Sequence, residues 1–189
     1  HFIPRQDVEL LVRVHPAEVL GGIPSRQRVV DEVRKRWPIL PPHIHIIPPE
    51  DKANTYDVMR ACDSVLVYGT KMGIELPCFG VSVVIAGDAW ARGKGFTRDV
   101  SSPQEYEQVL NSLPLGVPQD QEKTQLARRY GYHFFFRRMI PVRFAHRRQL
   151  LAPYEYDIQT LDQLMPGADA GLDSICDGIL KGTPFVVGE

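Results

Sequence analysis

Four short apolar runs rich in β-branched residues punctuate the first half of the chain, and each is followed by a helix-like segment or a glycine-rich loop. They are VELLVRV (residues 8–14), HIHII (43–47), DSVLVY (63–68) and VSVVIA (81–86). Their apolar residues mostly do not alternate with polar ones, the pattern of strands covered on both faces. Between them, SRQRVVDEVRKRW (25–37) places Val29, Val30, Val33 and Trp37 near helical spacing, with Ser25 as the expected N-cap. Further helices are expected over 55–62, within 69–80, and over 102–113, where Pro103 takes the first helical position. Strand–helix alternation requires crossover connections. The first half is therefore an expected α/β fold: one parallel sheet with helices on both faces.

The character changes near residue 118. Residues 119–151 are long, charged and helical in pattern, with Pro141 expected to kink or split the helix. Residues 157–164 and 172–180 are expected to be further helices. The predicted organisation is a sheet domain over 1–117 and a helical appendage over 118–189 that packs on it. Composition narrows the partners. Lys and Arg total 22 against 23 Asp and Glu, a formal charge of −1, so no nucleic-acid partner is expected. At 43% hydrophobic residues the chain can bury a core, which excludes a disordered class. No apolar run approaches the roughly 20 residues of a membrane span. Three scattered cysteines, Cys62, Cys78 and Cys176, form no CxxC pair, which fits a reducing cytoplasm. The opening HFIPRQDVELLVRV has no Met and no signal-peptide layout, and reads as a piece of something longer or a processed start.

Ligands of parallel sheets bind beyond the carboxyl ends of the strands, where backbone N–H groups and helix starts converge. Three such loops carry chemistry. The first bears His15-Pro16, where a histidine fixed by proline could donate to a phosphate oxygen or simply serve a turn. The third is Tyr68-Gly69-Thr70-Lys71-Met72-Gly73-Ile74-Glu75. Its Gly-Thr pair offers a hydroxyl and backbone N–H groups to a phosphate, and Gly73 allows close approach. Glu75 is a lone carboxylate in an apolar run and needs a partner. Vicinal ribose hydroxyls would serve, and so would a local Lys or Arg; Thr70 would equally serve as an ordinary helix cap. The fourth loop, residues 87–99, is glycine-rich and carries Arg92 and Lys94, which could neutralise a phosphate or a sugar carboxylate or remain solvated.

Other patterns are weaker. His43-x-His45 puts two imidazoles on one strand face, but no matching further metal ligand is evident, so no metal site is expected. The first loop lacks the Gly-x-Gly-x-x-Gly of a dinucleotide site, and the fourth lacks a Walker spacing, so no NAD and no resident cofactor are expected. The cluster His133-Phe134-Phe135-Phe136-Arg137-Arg138, with Arg143, Arg147 and Arg148, offers either a membrane-surface or partner patch, or aromatics packed on the sheet beneath solvated arginines.

The ordered set HPAE, IIPPEDKANTY, VLVYGTKMGIELPCFG-VSVVIAG and RGKGFTRDV resembles the carboxyl-terminal half of capsule and surface polysaccharide glycosyltransferases related to Kdo transferases. The resemblance covers residues 15–100, about half the chain. It implies the Rossmann-like carboxyl-terminal half of a GT-B fold that binds a nucleotide-sugar donor, with CMP-Kdo as the first expectation and UDP- or GDP-sugars open. By the same resemblance, His15 and Thr70 would contact the donor phosphate, and Gly69 and Gly73 would supply close backbone approach. Glu75 would hold the ribose. The loop Ile46-Ile47-Pro48-Pro49 would bracket the base, with Thr55 and Tyr56 lining the same side. Thr70 stands where the family has Ser and keeps the hydroxyl. Gly80-Val81-Ser82-Val83 replaces the usual Gly-Lys-Pro-Val entry to the fourth strand. Pro77 is expected to kink the helix that starts near Gly73.

The acceptor-activating base is expected in an amino-terminal half that residues before Val8 cannot form, and no catalytic residue is assigned within the chain. Expected partners are the nucleotide-sugar and, through that missing half, a glycan acceptor. The expected setting is cytoplasmic, with a peripheral contact to the inner membrane or the capsule machinery. Two other classes remain: a nucleotide-sugar epimerase-like enzyme, and a non-catalytic interaction domain of a capsule assembly protein.

Overall fold

A computed structural model describes residues 1–20, 25–115, 119–146 and 154–187. The chain forms two compact units, His1–Ala127 and Arg128–Glu189.

The first unit is mixed α/β with parallel strands, as the sequence pattern requires. Strand β1 (Leu10–Arg13) leads through helices α1 (Ala17–Leu20) and α2 (Val29–Arg36) to β2 (Ile44–Ile47). Helix α3 (Thr55–Arg60) leads to β3 (Ser64–Val67), and helix α4 (Met72–Glu75) to β4 (Ser82–Ile85). A two-residue strand β5 (Arg98–Asp99) and helix α5 (Pro103–Asn111) follow.

The strands form two ladders instead of the single expected sheet. Strand β1 pairs with β2, Leu10 opposite Ile44, and β3 pairs with β4, which pairs with β5; all are parallel. Burial follows the same division. Val65, Val67, Val83, Val84 and Ile85 are buried, whereas β1 and β2 hold only partly covered or exposed positions, Leu11 and His45 among the exposed. The core therefore gathers around β3 and β4, where Ile74 and Leu76 from the following helix, Phe96 from the loop and Val109 from α5 close over the strands. Strand β5 lies inside the expected loop. Two polar residues give no apolar pattern, and only the backbone ladder identifies them.

Helix starts follow capping chemistry. Asn54 Oδ1 accepts from Tyr56 N at 2.9 Å and Asp57 N at 3.4 Å, and Ser102 Oγ accepts from Glu105 N at 3.1 Å. Ser25 does not cap α2: the helix begins after Arg28, without a side-chain cap. Helix α4 tightens into a 3-10 turn at Leu76–Phe79, with Pro77 in its first turn and Gly80 closing it at φ 83°.

Helix α6 (Gln121–Tyr132) runs across the division between the units and ends in a π-helical turn, His133–Arg137. The expected helix over 119–151 thus stops before Pro141, which lacks the N–H to continue it and disfavours helical backbone at residue 140. The second unit is not purely helical, because β6 (Ala145–His146) pairs antiparallel with β7 (Glu155–Tyr156). The expected helix over 157–164 is one 3-10 turn, Leu161–Leu164, held by a Thr160–Gln163 capping box. Helix α7 (Ala170–Lys181) matches the expected 172–180 closely.

Asp169 caps α7, accepting from Leu172 N and from Arg143 N, both at 2.9 Å. The N–H of Arg143, then that of Leu172, hold its carboxyl below the ordinary range, against the opposing effect of burial. Its folded pKa thus lies below the unfolded value of about 3.9. The stabilisation is present above that value and is lost as pH falls through the folded one. Acid titration followed by far-ultraviolet circular dichroism should show helix loss beginning below about pH 4, and Asp169→Asn should flatten that acid limb.

Candidate functional site

The sequence places three loops after parallel strands, and the structure gives each a local geometry. After β1, His15 is exposed and its Nδ1 accepts from Ala17 N at 3.0 Å, so the ring caps the turn into α1. After β3, Thr70 Oγ1 accepts from Met72 N at 3.4 Å and the Thr70 carbonyl accepts from Gly73 N at 3.1 Å; both serve the start of α4. No hydrogen bond joins His15 to this loop among the described residues.

Among the described residues Glu75, the last residue of α4, pairs with neither lysine nor arginine. The Tyr56 hydroxyl, on the first turn of α3, donates to Glu75 Oε2 at 3.0 Å. Burial, and then the hydrogen bond and charge of Glu75, push the Tyr56 pKa up, so the phenol remains a protonated donor at neutral pH. Thr55, the neighbour of Tyr56, accepts from Arg13 Nε at 3.2 Å. The same guanidinium donates to the Pro48 carbonyl at 2.6 Å and the Asp51 carbonyl at 3.2 Å. Arg13 thus clamps the end of β1 to the turn after Ile47, and Pro48, Thr55, Tyr56 and Glu75 form one connected cluster. Arg13 was not singled out from the sequence. Its signal was a charge set near the end of an apolar run.

The glycines play packing roles. A Cβ on Gly73 would sit 3.5 Å from Ile85 Cδ1 and 3.6 Å from Ala91 Cβ, so this buried residue faces β4 and the following loop. The close approach expected there is to protein. A Cβ on Gly69 would lie 2.8 Å from the Asp88 carbonyl oxygen, so the loops after β3 and β4 run against each other at that point.

In the fourth loop, Arg92 is occupied by its own chain. Its guanidinium donates to the Gly87 carbonyl at 3.2 Å, the Val100 carbonyl at 2.8 Å and Ser101 Oγ at 3.1 Å, drawing the two ends of the loop together. Lys94 is exposed, and its backbone N–H donates to the Ala91 carbonyl at 3.3 Å. An open cavity of about 640 Å³ lies beyond the carboxyl ends of β3 and β4, bounded by Tyr68, Gly87, Asp88, Ser101 and Tyr106. Of the expected site residues only Arg92 lines it; His15, Thr70 and Glu75 do not.

Buried His43 bonds the Phe2 carbonyl through Nε2 at 3.0 Å, and exposed His45 pairs with Glu9 Oε2 at 2.7 Å. In the aromatic–basic cluster, Phe134 and Phe135 are half-buried, with ring centroids 5.1 Å apart, while Phe136 is exposed. Arg143 is exposed, and Arg147 and Arg148 lie outside the described residues. Among the described residues no helix is long and apolar enough to cross a membrane. Compared with known proteins, the chain matches no family model, no curated protein and no solved structure.

Proposed function

We propose that the first unit binds the donor of a glycosyl transfer, a nucleotide-sugar of the CMP-Kdo type. It would do so as the Rossmann-like carboxyl-terminal half of a GT-B enzyme of capsular or surface polysaccharide synthesis. The observation that carries this reading is the hydrogen bond from Tyr56 to Glu75. A neutral hydroxyl orients the carboxylate without cancelling its charge, and the lone pairs that remain suit the vicinal hydroxyls of ribose. Two further groups support the reading. Thr70 accepts through its oxygen and keeps its O–H to donate. His15, accepting at Nδ1, has Nε2 left to donate. Donors aimed at a phosphate would stabilise the charge it gains as the sugar leaves. Arg92 is tied to its own loop, and this reading assigns the task to Lys94, exposed in the same loop. The proposed setting is the cytoplasmic face of the inner membrane, with a glycan as acceptor.

Calorimetric titration with CMP, UDP and GDP tests the reading. One nucleotide should bind saturably, and Glu75→Ala should weaken it by about tenfold or more, the usual cost of losing a hydrogen bond to a charged group. Absence of binding by all three nucleotides would overturn the proposal.

A further inference from the structure

The cavity beyond β3 and β4 is not lined by Tyr56, Thr70 or Glu75, and its chemistry differs from that cluster. We propose that it is a second binding site, for the pyranose ring of a neutral sugar, an inference that stands without the nucleotide reading.

The charge of the lining disfavours anions, divalent cations and wholly apolar ligands. Among the described residues that line it, Asp88 is the one acid and Arg92 the one cation. Arg92 keeps its charge, but its guanidinium is held in place by Gly87, Val100 and Ser101. A phosphate would meet one acid beside one cation, a lining with no net positive charge to receive it. A divalent cation would find one carboxylate where it needs several oxygen ligands. A wholly apolar ligand would desolvate Asp88 without replacing its hydrogen bonds.

A pyranose meets each of these conditions. Its C–H faces suit aromatic faces, which carry the negative side of the ring quadrupole. Its hydroxyls donate to a carboxylate and exchange hydrogen bonds with serines. The cavity supplies both. Tyr68 is 78% exposed, a large cost in displayed aromatic surface, yet it is held in place. A Cβ on Gly87 would lie 2.8 Å from Tyr68 Cδ1 and Cε1, so the ring rests against the bare glycine backbone at the mouth of the cavity. Half-buried Tyr106 stands among the lining residues, its hydroxyl kept protonated by burial. Ser101 Oγ accepts from Arg92, Ser102 Oγ accepts from Glu105 N, and each still has a hydroxyl proton to donate. The volume, about 640 Å³, lies within the usual range of small-molecule sites.

The test is a nuclear magnetic resonance titration of the nitrogen-15-labelled chain with methyl β-glucopyranoside and methyl β-galactopyranoside, with cytidine and inorganic phosphate as comparators. At least one pyranoside should give saturable shifts at residues 68, 88, 101 and 106, with Kd on the order of millimolar for so small a ligand. Tyr68→Ala should weaken binding about fivefold or more through the lost ring face, while Tyr68→Phe should stay within about twofold. Asp88→Asn should weaken it about tenfold. Should Tyr68→Ala disturb the loop, Asp88→Asn carries the test alone. The proposal is overturned if neither pyranoside shifts these residues, if cytidine or phosphate shifts them as strongly, or if Asp88→Asn binds the pyranoside at full strength.

Discussion

Replacing Phe96 by alanine should lower the unfolding free energy by about 3–5 kcal/mol, measured by urea denaturation followed by circular dichroism. Phe96 belongs to no helix or strand, yet it is 1% exposed. It sits between Gly95, at φ 85°, and Thr97, whose hydroxyl donates to Asp99 Oδ1 at 2.7 Å. The backbone turns sharply at the glycine, sends one large ring into the core, and re-enters the sheet at β5. Deleting the ring leaves a void that the bonded ends of the loop cannot close, because Arg92 already fixes them at Gly87 and Val100. The site should feel the same loss. Residues 87–101 supply Asp88 and Ser101 to the cavity, so Phe96→Ala should weaken pyranoside binding even where the chain remains folded. A loss below about 1 kcal/mol would mean that the ring is not the anchor of this loop.

The elements that were legible are those whose residues carry their own pattern. Strands β3 and β4 announce themselves because Val65, Val67, Val83, Val84 and Ile85 are buried and β-branched. Helices α3 and α5 were legible as helices, and both begin on capping side chains. What was hidden depends on pairing across sequence. The ladder divides after β2, and β5 pairs through the backbone of Arg98 and Asp99, whose side chains say nothing about a strand. The site divides in the same way. That Glu75 needs a partner follows from one lone acid among apolar neighbours. That the partner is Tyr56 depends on how two helices 19 positions apart in the chain meet. Arg92 was legible as a cation in a loop near the strand ends. Its acceptors are two backbone carbonyls and a serine, and a sequence cannot show which carbonyls converge.

Three glycines beside these loops should separate by the sign of their alanine substitutions. Gly87→Ala and Gly69→Ala should each destabilise by about 1–3 kcal/mol, the ordinary cost of forcing atoms into a filled space. At Gly87 the new methyl would lie 2.7 Å from the Tyr68 carbonyl oxygen, the same oxygen that accepts from Gly87 N at 3.1 Å. The clash can be relieved only by breaking that bond or moving the Tyr68 ring, so this variant should lose both stability and pyranoside affinity. At Gly69 the methyl meets the Asp88 carbonyl at 2.8 Å, again backbone that cannot swing aside. Gly73→Ala should do the opposite and stabilise by up to about 1 kcal/mol, since glycine within a helix is disfavoured against alanine by that much. Its methyl would find Ile85, Ala91 and Val67 at 3.5–3.8 Å, which is ordinary contact. Thermal denaturation of the three variants decides between packing and ligand approach as the reason for each glycine. A stable Gly73→Ala that had lost nucleotide binding would return Gly73 to the ligand. Unchanged binding with a higher midpoint would leave it as the residue that lets α4 pack on β4, and the close approach would then belong to Gly69 and Gly87, where the two loops touch.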